Sequence, residues 1–232
     1  DIGNRQWSRE FGTNCTYVAN ELNQYTNIVR GGVFELSAFD LDGNQTNVVT
    51  STCEWSVTYN GENRPVYWRR AADDTTIHMA YDRMGRRVVK NDETFVYDNY
   101  LNVGKTIWDP TESLATRPLV WFDDNEMSHY FHDGNKNISN EVKFEKNQVI
   151  QRDYSPFGIV VSEVPDTRWG FSSEYSDGFC YYYNYRHYNP NAGRWCSRDM
   201  LGDFMILDEY SHVFSSEAQI DELLNGYLFS GN

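Results

Sequence analysis

Apolar and polar residues alternate along much of this 232-residue chain, most regularly in Trp55-Ser56-Val57-Thr58-Tyr59 and Ile77-His78-Met79-Ala80-Tyr81. A period of two puts alternate side chains on one face of a strand, so these stretches predict half-buried β-strands. Between them recurs a unit made of an aromatic residue, an Asp or Asn, and a glycine. It appears as Phe39-Asp40-Leu41-Asp42-Gly43-Asn44, as Tyr59-Asn60-Gly61-Glu62-Asn63-Arg64-Pro65 and as Tyr81-Asp82-Arg83-Met84-Gly85-Arg86-Arg87. Tyr97-Asp98-Asn99-Tyr100 and Phe131-His132-Asp133-Gly134-Asn135-Lys136-Asn137 are further copies. An Asp or Asn side chain can bond the backbone just ahead of it, and glycine accepts positive φ, so each unit predicts a hairpin turn. The chain then returns as a strand, as in Arg86-Arg87-Val88-Val89-Lys90. Repetition at irregular intervals predicts a mainly β fold, a meander of antiparallel hairpins of unequal length.

Helical spacing is confined to the C-terminus. Ser215-Ser216-Glu217 can cap a helix from about Glu217 to Leu228, with Ile220, Leu223, Leu224 and Tyr227 on one face. Turn glycines and paired tyrosines give way to this amphipathic tail near Asp203. The organisation expected is repeat hairpins over 1–150, a distinct closing region over 151–202 and a tail over 203–232. The opening Asp1-Ile2-Gly3-Asn4-Arg5 reads as another unit cut after its Tyr, which predicts that the chain begins inside a longer polypeptide.

The densest chemistry lies between Trp169 and Gly202. Tyr181-Tyr182-Tyr183-Asn184-Tyr185-Arg186-His187-Tyr188 puts rings on both faces of a strand. A turn at Asn189-Pro190-Asn191-Ala192-Gly193 leads into Arg194-Trp195 and Arg198-Asp199. Upstream stand Tyr154-Ser155-Pro156-Phe157-Gly158 and Trp169-Gly170-Phe171-Ser172-Ser173-Glu174-Tyr175. These four ordered blocks resemble the core associated with RHS repeats. Tyr81-Asp82…Gly85-Arg86-Arg87 and Tyr97-Asp98 are similar to the YD repeat of the same family. The resemblance implies a hollow β-shell, or cocoon, which the core region closes and which encloses a C-terminal polypeptide, often a toxin. It implies upstream repeats of the same polypeptide, a C-terminal cargo or a neighbouring chain as partners, and a secreted or cell-surface setting. It also raises self-cleavage. Many relatives end the core in Arg-Asp-Pro-x-Gly-Leu and cut after the Leu with an aspartate. Asp199 keeps the aspartate position here, and Asp177 or Asp203 is a possible second carboxylate, because two close carboxylates separate their pKa values and can activate water. Met200 and Asp203 depart from the pattern. A turn-capping or arginine-paired role for Asp199 is therefore the expectation, and a structural container is preferred to an autoprotease or to a carbohydrate- or protein-binding surface.

Composition trims the alternatives. Asp and Glu outnumber Lys and Arg by 34 to 20, a net charge of -14, which disfavours nucleic acid or an anionic membrane as a partner. No apolar run approaches the ~18 residues of a membrane-spanning helix. Cys15, Cys53, Cys180 and Cys196 make no CxxC pair, so no zinc site is expected. Cys180 and Cys196 flank the Asn189–Gly193 turn and could be a disulfide or two buried thiols. His129 and His132 are three apart on a strand, hence on opposite faces, and predict no shared metal. Asp40-Leu41-Asp42-Gly43-Asn44 echoes a calcium loop but reads as a turn. Arg69-Arg70 and Arg86-Arg87 read as solvated pairs or partners of acidic neighbours. Gly31-Gly32 is a loop, and no cofactor is implied. Aromatics make up 16% of the chain, 17 of them Tyr and 7 Trp, and these are expected to line the sheet interior and its seams.

Overall fold

The computed structural model describes residues 4–50, 53–99, 101–111, 116–162 and 167–198. These residues form two units, one made of the chain up to His78 together with the segment from Arg186, the other running from Met79 to Tyr185. The Asp199 position, Asp203, the expected C-terminal helix and the tail boundary lie outside the described residues. The boundary read near residue 150 falls within the second unit.

In the first unit the strands are β1 (Trp7–Glu10), β2 (Thr13–Ala19), β3 (Tyr25–Arg30), β4 (Val33–Leu36), β5 (Ala38–Phe39), β6 (Gln45–Val49), β7 (Glu54–Tyr59), β8 (Pro65–Arg70) and the start of β9 (Thr76–Tyr81). The second unit holds the end of β9, then β10 (Arg87–Lys90), β11 (Glu93–Thr94), β12 (Tyr97–Asp98), β13 (Leu101–Asn102) and β14 (Thr106–Trp108). It continues through β15 (Pro118–Phe122), β16 (Met127–His132), β17 (Ile138–Lys143), β18 (Gln148–Gln151), β19 (Tyr175–Ser176) and β20 (Tyr181–Tyr183). The chain re-enters the first unit with β21 (Arg186–Asn189) and β22 (Arg194–Trp195). Pairing is antiparallel throughout and runs between sequence neighbours, as the meander predicts. Among the described residues the helical content is one 3-10 turn, Phe171–Ser173.

One turn design recurs with atomic regularity. At Asn20, Asp40, Asn60, Asp82 and Asp133 the residue's own N–H donates to the carbonyl four residues on, and the N–H three residues on donates back to its carbonyl. At each of the five, the side-chain oxygen also accepts the backbone N–H of the residue four ahead. The residue three ahead takes positive φ: Asn23 at 58°, Gly43 at 84°, Asn63 at 56°, Gly85 at 83° and Lys136 at 65°. A bulge follows at the second residue of the returning strand, skipping Thr26, Thr46, Val66, Val88 and Ser139 in the register. This is the turn-plus-bulge hairpin that keeps the right-handed twist of its strands.

The bulge explains a failure of simple alternation. Strands entering a turn alternate as read, with Trp55, Val57, Ile77 and Met79 buried. Four of the five strands leaving these turns, all but β10, bury their first and fourth residues, such as Pro65 and Trp68 or Ile138 and Glu141, because the extra residue shifts the phase by one. The core of the first unit includes Cys15, Tyr17, Tyr25, Ile28 and Ala192. The second packs Phe95, Trp121, Tyr130, Ile138, Trp169, Tyr175 and Tyr182. Gly31-Gly32 forms the tight turn between β3 and β4, and all four cysteines are thiols, with Cys15, Cys180 and Cys196 buried.

The turn also corrects the glycine positions. Gly61 and Gly134 do not occupy the positive-φ position; Asn63 and Lys136 do. Lys136 is the costly case, since a lysine has no local hydrogen bond to offset a left-handed backbone. Lys136→Gly is expected to stabilise the protein by about 0.5–1 kcal/mol, a rise in the urea midpoint, while Gly85→Ala at φ 83° should lower it by a similar amount.

Candidate functional site

The residue that follows each turn by one step, the first of the returning strand, is buried in all five hairpins. It is Tyr25, Gln45 and Pro65 in the first unit and Arg87 and Ile138 in the second. A guanidinium at a position otherwise filled by uncharged groups needs a counter-charge, and β10 finds it in the loop after β19. Arg87 is 1% exposed and its Nη1 lies 3.0 and 2.8 Å from the two carboxylate oxygens of Asp177. Lys90 Nζ is 2.6 Å from Asp177 Oδ1. The guanidinium carbon also sits 4.2 Å from the Tyr182 ring centroid, 4.6 Å from Tyr175 and 5.1 Å from Phe95. Burial works against the charge on Arg87, but Asp177 and the surrounding tyrosines outweigh it, so its pKa lies above the ordinary arginine value.

Asp177 is thus a carboxylate held between two cations. Its two ion-pair partners, Arg87 and Lys90, favour the ionised form of the carboxylate. The chemistry this arrangement performs is anchoring: it ties the core block after Trp169 to the hairpin that precedes Glu93.

Arg87 also lines a cavity of about 470 Å³, walled within the second unit by Phe95, Tyr97, Trp108, Trp169, Tyr175 and Tyr182. Trp108 and Trp169 meet edge to face at 5.1 Å, and Trp169 meets Tyr175 at 5.8 Å. Glu174 points its acidic chemistry into the same lining. Burial alone pushes its pKa from 4.5 up to about 8. The folded protein therefore binds this proton more tightly than the unfolded chain, so the contribution of Glu174 to stability is fully present below pH 4.5 and is lost as pH rises through that window to about 8. Glu174→Gln should remove this slope, which thermal denaturation across pH 4–9 would reveal.

The blocks that resemble the RHS core are placed as follows. Tyr154 donates its hydroxyl to the Ile138 carbonyl at 3.0 Å, and Ser155 caps a turn whose exit is Gly158 at φ 89°, with Pro156 and Phe157 between them. Tyr183 ends β20 and Tyr185 follows it, half-buried. In the first unit the Asn189 side chain accepts the Asn191 N–H at 3.0 Å, Pro190 is buried in that turn and Gly193 takes φ 65°. Tyr188 and Trp195 pack edge to face at 5.6 Å, and Arg186 lies 4.1 Å from the Trp195 ring centroid. Early hairpins grip this segment. Arg30 donates to the Asn191 carbonyl at 3.1 Å, Arg5 donates to that of Ala192, and Arg194 lies 3.9 Å from the Tyr25 ring centroid while bonding Asn4. Gln45 N–H donates to the Cys196 carbonyl at 2.7 Å. Arg198 is half-buried at the end of the described residues.

The YD unit is equally structural. Asp82 caps its turn and pairs with Arg86 at 2.6 Å, Arg86 covers the Tyr97 ring at 5.1 Å, and Tyr81 packs against the second core. Arg69 and Arg70 pair with Asp74 and Asp73. No three His, Cys, Asp or Glu residues group as metal ligands among the described residues, and none of the helices there could cross a membrane. Sequence reasoning missed Arg87 as a buried cation, Lys90 and Glu93 beside it, and Glu174. The available signal was Arg87's register: it stands where the other hairpins place uncharged residues.

No family profile and no curated protein matches the chain. Solved structures do. A Tc holotoxin pore of Photorhabdus luminescens carrying a TccC3 mutation aligns over 98% of this chain at 16% identity with a TM-score of 0.52. A complex of TcdB2-TccC3 aligns over 82% at 17% identity, and one of TcdB2-TccC3-Cdc42 over 97% at 15%, each with a TM-score of 0.50. This chain spans 14%, 12% and 14% of those chains, respectively. It shares its antiparallel β fold with parts of Tc toxin complexes.

Proposed function

We propose that this chain is a stretch of an RHS/YD-repeat shell that includes the RHS-associated core, secreted or displayed at a cell surface, and that it encloses or presents a polypeptide. The observation that carries this reading is the identical turn-and-bulge hairpin at five positions, each adding a pair of strands to a sequential meander. Such a fold extends by repetition, and a sheet of any length can be built from it. The core segment after Arg186 is held by backbone carbonyls and ring faces, which suits a closing element better than a reactive one. The fold shared with TcdB2-TccC3 chains supports the same reading. Upstream repeats of the same polypeptide and a C-terminal cargo are the partners it implies.

A second reading, aspartate-dependent self-cleavage, rests on Asp199. The intact mass of the full polypeptide containing this chain, wild type beside Asp199→Asn, separates the two. One uncut mass for both is expected for a structural container. A break near Gly202–Asp203 that disappears in the variant would replace the container with an autoprotease that frees cargo.

A further inference from the structure

The cavity of the second unit combines three features that a structural seam does not require. Its volume, about 470 Å³, falls in the range of small-molecule sites. Six aromatic rings wall it, a density far above that of a mixed surface. Glu174 brings a carboxyl into it that has neither a hydrogen bond nor an ion pair among the described residues, whereas the charged side chains nearby are in ion pairs. Arg87 and Lys90 share the single carboxylate of Asp177, which leaves one positive charge in that cluster, and Arg168 pairs with Glu93. The remaining acid in the lining, Asp98, has the same sign as Glu174. Once Glu174 is ionised, it and Asp98 outweigh the one positive charge left in the Arg87–Lys90–Asp177 cluster, and the balance at the cavity is negative.

We infer that this cavity is a binding site for an alkylammonium group, with Glu174 as its counter-ion and Trp108 and Trp169 as its ring faces. A cation with an apolar skirt fits both halves of the lining: the positive centre is attracted by the carboxylate and by the negative faces of the rings, and its methyl or methylene groups bury against them. Rings of this unit already hold cations in this way. Arg87 occupies the faces of Phe95, Tyr175 and Tyr182, and Arg168 lies 4.1 Å from the Trp121 centroid. That occupancy leaves Trp108 and Trp169 for the ligand. Residues 199–232 contain no Lys or Arg and do not supply the cation, which is a free amine or a side chain of lysine type.

The groups facing Glu174 define how binding should respond to pH. Arg87 stays charged; burial holds the hydroxyls of Tyr97, Tyr175 and Tyr182 above the ordinary tyrosine pKa, that of Tyr97 at about 12. Between pH 7 and 9 Glu174, half-buried, is accordingly the group of the lining that changes charge.

Choline is the probe, because its charge does not titrate, and 3,3-dimethylbutan-1-ol is its uncharged isostere. Binding to the whole chain is read by isothermal titration calorimetry and by quenching of tryptophan fluorescence. Choline should saturate one site, bind at least tenfold tighter than the isostere, and gain about tenfold in affinity from pH 7 to 9. Glu174→Gln, which keeps size and shape, should reduce choline affinity about tenfold and abolish the pH response, with the thermal transition showing that the protein remains folded. Equal affinity for choline and its isostere, an unchanged affinity in Glu174→Gln, or no saturable binding of choline would each overturn the assignment. Lysine methyl ester binding alongside choline would identify a lysine-type side chain as the physiological group; choline alone would identify a quaternary amine.

Discussion

Replacing Asp177 with alanine should unfold or nearly unfold the second unit. The substitution leaves Arg87, 1% exposed, and the neighbouring Lys90 without their shared anion. Removing one partner of a buried pair costs about 3–5 kcal/mol, because the other charge stays desolvated and uncompensated. Ring contacts from Tyr182, Tyr175 and Phe95 offset part of that, each on the order of 1 kcal/mol. What remains is still a large fraction of the roughly 5–15 kcal/mol by which a domain is stable. Denaturant titration followed by tryptophan fluorescence gives the number. The double variant Asp177→Leu with Arg87→Met should recover most of the loss, because an apolar pair of similar volume needs no counter-charge. A loss below ~1 kcal/mol in the single variant would mean that Arg87 has water or another anion in reach, and the anchoring role of the pair would be wrong.

Gly158→Ala is the second large effect, and its cause is geometric. Gly158 has φ 89°, where an L side chain is strained, and a Cβ placed there would lie 2.7 Å from Cγ and Cδ1 of Phe171. Those are atoms in the body of a ring that stacks at 5.9 Å on both Tyr154 and Tyr181. Tyr181 in turn donates its hydroxyl to the Gly158 carbonyl at 3.0 Å, so the ring has nowhere to retreat without breaking that bond. Backbone strain of about 1 kcal/mol plus overpacking of about 1–3 kcal/mol predicts a total loss of roughly 2–4 kcal/mol. Comparison with Gly61→Ala is the control. Gly61 has open space at the Cβ position and no positive φ, so that variant should sit within ~0.5 kcal/mol of wild type. Equal losses for the two variants would show that the Phe171 contact does not hold in solution.

These two predictions mark where the anchoring of the second unit lies. Asp177 and Gly158 both belong to the stretch read from the sequence as the closing region; Asp177 holds it to a hairpin formed earlier in the chain, and Gly158 lets its own rings pack. For Gly158 the sequence supplied the reason in outline, since Tyr154-Ser155-Pro156-Phe157-Gly158 is legible as a turn. For Asp177 it supplied a different emphasis. The residue stood out as an acid that could assist Asp199, and its counter-charges are ninety and eighty-seven residues away in the chain, as the numbering of Arg87 and Lys90 shows.

Local chemistry alone determined the hairpins. An Asp or Asn that bonds the backbone ahead of it, flanked by alternating strands, closes a turn wherever it occurs, so the β class and the sequential meander could be read directly. Positive φ was assigned to the nearest glycine, and that succeeded at Gly43 and Gly85 but failed at Gly61 and Gly134. The bulge requires the strained residue three positions after the cap, whatever its type, and Asn63 and Lys136 were already there. The phase of the returning strands was also out of reach, because one inserted residue exchanges the buried and exposed faces. Tertiary structure alone decided which charges are matched. Arg87 and Asp177 are each ordinary in sequence, and only their meeting across the β10 and β19 region turns two polar residues into a buried anchor. By the same logic Glu174 became distinctive through the rings gathered around it from four separate stretches of chain. Long-range pairing depends on which side chains desolvate together, and that is a property of packed surfaces that no local pattern encodes.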